Sequence, residues 1–102
     1  MKIIKILSEQ IEEELDGAES YARLAVEYKE DNPPLSSTYH EIATQELRHV
    51  DMLHNEVVAL IKKHRETHGE PPAPMMAIYE WQHKKEIEHT ADIKRLLDMW
   101  RS

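Results

Sequence analysis

Apolar residues recur along this chain at helical spacing in three long runs, and prolines separate the runs. At about 3.6 residues per turn, Ile4, Leu7, Ile11, Leu15, Ala18, Ala22 and Val26 fall on one face of the first run. Leu35, Tyr39, Ile42, Ala43, Val50, Leu53, Val57, Leu60 and Ile61 do the same in the second. The best face of the third carries Ile78, Tyr79, Gln82, Glu86, His89, Ile93, Leu96, Leu97 and Trp100, apolar at both ends and polar in the middle. A rival face there, Met76, Glu80, His83, Ile87 and Ala91, weakens toward the C-terminus. The spacing predicts helices over about residues 3–30, 36–68 and 75–100.

Asp31-Asn32-Pro33-Pro34 stops the first helix, because Pro lacks an N–H and disfavours helix at the residue before it. Ser36 or Ser37 would cap the second helix, Gly69 would close it, and Pro71-Pro72-Ala73-Pro74 parts it from the third. The short Pro-Pro turn makes the first two helices an antiparallel hairpin. The expected fold class is all-α, a helical hairpin plus a third helix, in a single domain over residues 1–102.

Composition agrees with helix and narrows the functions. Only two glycines occur among 102 residues, and Glu, Lys, Leu, Ile and Ala dominate, all tolerant of helix. A formal charge of −7 argues against a nucleic-acid surface, which needs clustered Lys and Arg. No apolar run approaches the ~20 residues that cross a bilayer, so no membrane role is expected. The start, Met1-Lys2-Ile3-Ile4-Lys5, is too broken for a signal peptide, which leaves a cytoplasmic location as the default expectation. With no cysteine there is neither disulfide nor thiolate ligand.

Chemistry enters where polar residues interrupt the apolar faces. Glu46 lies in the middle of the second stripe, where Leu or Ile would be ordinary, and His49 lies at its edge three residues on. Both side chains can therefore meet one ion. Burying carboxylates and imidazoles together is costly unless something compensates them, and a metal ion does so strongly. Glu19, beside the small Ala18 and Ala22, sits about as far from the turn as Glu46 does, so the hairpin is expected to bring them level. The blander alternative is a boundary glutamate that reaches water or pairs with Arg23 or Arg48. On the third helix Glu86/His89 are the better candidate second pair, about a turn from the level of Glu46 and His49. Glu80/His83 stand farther away and remain the alternative. No Gly-rich phosphate loop and no Ser/His/Asp arrangement occurs.

Gly17-Ala18-Glu19-Ser20-Tyr21-Ala22-Arg23 followed by Gln45-Glu46-Leu47-Arg48-His49 resembles the first two metal-binding helices of the ferritin-like superfamily, nearest to rubrerythrin-type and encapsulated-ferritin-type proteins. Glu86-Ile87-Glu88-His89 is similar to the later Glu-x-x-His of rubrerythrins. The resemblance implies Glu19 as first-helix ligand, Glu46 as bridging carboxylate and His49 as terminal ligand. A full member has four helices and this chain three, so a homo-oligomer, at least a dimer, would complete the four-helix bundle. The implied activity is Fe(II) oxidation by oxygen or peroxide at a di-iron site, a ferroxidase-type oxidoreductase. Manganese or zinc also suits these donors. His54 or Tyr39, a turn away, would support the ligands by hydrogen bonding. The alternative function is a non-catalytic helical assembly subunit whose metal uptake is adventitious.

Overall fold

The computed structural model describes residues 2–102, and all regular structure among them is helical. Helices α1 (Lys2–Glu27), α2 (Pro33–His68) and α3 (Ala73–Arg101) lie side by side in a rod of 55 × 18 × 18 Å. The three expected helices are present, with shifted ends.

The largest shift is at the first turn. Helix α2 starts at Pro33, capped by Asn32, whose side-chain oxygen accepts from the Leu35 N–H at 3.3 Å. Pro33 and Pro34 occupy the first turn, where a missing N–H loses nothing and the fixed φ is already helical. The prolines therefore begin this helix, and neither Ser36 nor Ser37 caps it. Helix α1 ends at Glu27, and residues 28–31 form a turn closed by the Asn32 N–H on the Tyr28 carbonyl at 2.9 Å. Gly69 closes α2 as expected, with φ 78° and its N–H on the Arg65 carbonyl at 3.2 Å. That left-handed backbone favours glycine.

Ser36 has a different role from the one its position suggested. It is buried inside α2, donates its hydroxyl to the Ala25 carbonyl of α1, and accepts from Trp100 Nε1 of α3 at 2.7 Å. One small hydroxyl thus links all three helices at one end of the rod.

Helix α1 is the centre of the fold. It packs along both α2 and α3, which touch one another sparsely. The core joins Ile4, Ile11, Leu15, Ala18 and Ala22 of α1 to Ala43, Val50, Val57 and Ile61 of α2 and to Ile93 and Leu97 of α3. His89 meets Glu19 and the Lys29 side chain reaches the Ser102 carbonyl, so α3 runs parallel to α1 and antiparallel to α2. The α3 face turned inward follows Tyr79, Glu86, Ile93 and Trp100, seven residues apart. Ile78 falls outside that row and is 61% exposed.

Truncating Leu15 or Ile93 to Ala is expected to lower the unfolding free energy by roughly 2–5 kcal/mol, because both are fully enclosed. Ile78→Ala should stay within about 0.5 kcal/mol. Urea denaturation followed by circular dichroism measures all three.

Candidate metal centre

The closest gathering of ligating groups among the described residues is Glu14 of α1 with Glu46 and His49 of α2. One donor atom from each lies within 4.8 Å of the others. Glu14 Oε2 stands 3.3 Å from His49 Nδ1. Glu14 and Glu46 are half-buried and His49 is exposed at the rim. Gly17 makes room for this. A Cβ built there would lie 3.4 Å from Glu46 Oε2, so the Glu46 carboxyl rests directly on the α1 backbone. Gly17 has helical backbone, and space rather than conformational freedom is what it contributes.

Electrostatics marks the same spot. The Glu46 carboxyl is pushed up to about 7, first by donating a hydrogen bond to Glu14, then by burial, then by the Glu14 charge, while His49 acts in the opposite direction. Two carboxyls gathered beside an imidazole are a donor set that a divalent cation relieves, since the ion cancels the repulsion between them. The residues fit a metal ion on that ground.

The sequence-expected residues are divided between two seams. Glu46 and His49 join Glu14 on the α1–α2 seam. Glu19 turns to α3, where its Oε1 meets His89 Nε2 at 3.0 Å and its Oε2 accepts from Arg23 Nε at 3.3 Å. The residue level with Glu46 is Gly17 rather than Glu19. That displacement of two residues is only ~3 Å along the axis but ~200° around it, enough to send a side chain to the opposite flank. Its cause is the turn, which closes before Pro33 and moves the hairpin's centre toward the N-terminus. Glu86 borders both the α1 side of α3 and the cleft toward α2, and burial, then the Glu12 charge, push its carboxyl up to about 7. His54 stacks on His83, and Tyr39 packs against Tyr21 at 5.9 Å between ring centres, so neither reaches the cluster.

Glu14 was not singled out from the sequence, where it reads as one of three consecutive acids. A signal was available. Leu7, Glu14, Tyr21 and Tyr28 are spaced by seven, as are Tyr39, Glu46, Leu53 and Leu60. Each row is apolar or aromatic apart from one Glu, and the two glutamates meet.

Compared with family models, with curated proteins and with solved structures, the chain matches none.

Because Glu46 and Glu86 hold protons more tightly when folded than at their ordinary 4.5, the folded state binds the excess protons between pH ~4.5 and ~7. Stability of the metal-free protein therefore falls as pH rises through that window, and the full cost is present above it. Glu46→Gln and Glu86→Gln should each flatten this decline, read from melting temperatures at pH 5 and pH 8. Gly17→Ala should stabilise α1 by about 0.5–1 kcal/mol, since the new methyl makes ordinary contact. Gly17→Leu should instead displace the Glu46 carboxyl and weaken cation binding, measured by calorimetric titration.

Proposed function

We propose that this chain binds Fe(II) at Glu14, Glu46 and His49 and, as a two-fold dimer, oxidises it at a dinuclear carboxylate–histidine centre of the ferritin-like kind. The observation that carries this reading is the converged cluster, with one donor atom from each of the three residues within 4.8 Å of the others. A second supports the dimer: every member of the rows Leu7, Glu14, Tyr21, Tyr28 and Tyr39, Glu46, Leu53, Leu60 is half-buried in the single chain. This is an amphipathic seam with a polar centre, and a second copy laid across it would make a four-helix bundle. Two copies supply four carboxylates and two imidazoles, and the four negative charges balance two divalent ions.

Each residue then has a task. Glu46 releases its proton when the cation arrives and can reach two ions through its two oxygens. Glu14 binds from the facing helix, and His49 binds from the rim through a ring nitrogen. Iron is the substrate here: two Fe2+ supply two electrons, which with two protons reduce O2 to hydrogen peroxide. Manganese or zinc would compete for the same donors. Glu19 and His89, already paired, and Glu86 stand on the α3 side of α1, outside this centre.

Anaerobic Fe(II) titration should give about one iron per chain, with a ferric absorption band on admitting oxygen and a dimeric mass in solution. Glu14→Ala and Glu46→Ala should each lower the iron uptake. Undiminished uptake in both variants would leave the chain as an assembly subunit with adventitious metal and end this reading.

A further inference from the structure

A second set of ligating groups lies on a different seam, between α2 and α3. These helices leave an open cleft of about 350 Å³, lined among others by Asp51, His54, His83 and Glu86. On α2, Asp51 precedes His54 by three residues, and on α3, His83 precedes Glu86 by three. Residues three apart share a helix flank. Because α2 and α3 are antiparallel, His54 faces His83 while Asp51 comes level with Glu86. The result is a four-cornered arrangement with imidazoles at one end and carboxylates at the other.

The imidazoles already have the right separation. Their ring centres are 4.6 Å apart and the rings are 8° from parallel, with Tyr79 stacked on His83 beyond them. Neither ring has a hydrogen-bond partner among the described residues. An ion ~2.0–2.1 Å from one nitrogen of each ring, at a tetrahedral angle, places the ring centres roughly 5 Å apart. Binding therefore requires each ring to turn about its Cβ–Cγ bond, with little movement of the backbone. Glu86 is half-buried at this level, with no ion pair among the described residues, and Asp51 is exposed at the rim. Lys94, the cation lining the same cleft, is eight residues beyond Glu86, ~12 Å along the axis.

We propose that Asp51, His54, His83 and Glu86 form a divalent-cation site for zinc-like ions, distinct from the Glu14 cluster, that fastens α3 to α2. A pair of imidazoles with carboxylates lining the same cleft suits Zn2+ or Co2+ better than the carboxylate-rich hard-ion sites do. The site bridges α2 and α3, whose backbones approach least closely of the three pairs, so occupancy raises the melting temperature with the logarithm of the ligand excess.

The test uses Co2+ as a visible probe with the full chain, at neutral pH. The wild type and the Glu46→Gln, His49→Ala double variant are both expected to give the visible bands of four-coordinate Co2+, displaced by Zn2+. His54→Ala and His83→Ala are each expected to lose those bands and weaken Zn2+ binding tenfold or more, since even removing a ligand's supporting partner costs about 10–100-fold. In case a variant misfolds, substoichiometric Zn2+ added to the wild type should shift the ring NMR signals of His54 and His83 before those of the other histidines. Four-coordinate bands that persist without His54 or His83 in a folded variant, or that vanish with Glu46 and His49 alone, overturn the proposal. So does a Zn2+ titration that moves His49 first.

Discussion

The close approach of α1 and α2 is the constraint on which the rest of the molecule depends. It is made by small residues: Ala18, Ala22 and Ala25 on one helix and Ala43 on the other, all with no exposed surface. Side chains this short contribute little buried area each. Their effect is to let two backbones come near enough for neighbouring Leu15, Ile11 and Val57 to interlock at native density. Once that contact is set, neither helix can slide by a turn without driving a larger side chain into an alanine position. Register follows, and with it the meeting of Glu14, Gly17 and Glu46.

The polar groups make sense against that rigid pair. Gly17 leaves the α1 surface open beside Glu46, whose carboxyl lies against it within 3.4 Å of where a Cβ would stand and meets Glu14. Such an arrangement opposes folding of the bare chain above the Glu46 titration, since burial and the Glu14 charge disfavour the ionised Glu46 carboxylate. A sequence selected for stability alone would place Leu there. The cost is localised on the seam away from α3, while the apolar contacts of α1 with both neighbours carry the fold. The second seam repeats the theme differently: α2 and α3 leave a cleft, and the stacked imidazoles of His54 and His83 meet across it with no hydrogen-bond partner among the described residues.

Much of this was legible in the residues, for identifiable reasons. Helical period and long apolar stripes carry their own signal, so α1, α2 and α3 and most of their inward positions, from Ile4 to Leu97, could be read directly. Glu46 and His49 stood out because a charged residue in the middle of an apolar stripe is expensive. Glu14 did not, since three adjacent acids look like a solvated face and only the seven-residue row through Leu7 and Tyr21 distinguishes one of them. The turn was harder still. Pro33-Pro34 reads as an interruption but serves as a helix start, and whether it does depends on Asn32 capping it.

The chain's own order of residues was enough to specify three helices, their faces, the hairpin and the presence of costly carboxylates on an inward stripe, because each follows from spacing along one helix and local steric rules. Which carboxylate meets which was settled by packing. A two-residue difference in how the hairpin closes rotates a side chain by more than half a circle, so Glu19 went to His89 and Glu14 to Glu46. Likewise α3 chose α1 over α2, through the total fit of Tyr79, Ile93 and Trp100 against both neighbours. That fit is a sum over three surfaces at once, and no stretch of sequence contains it.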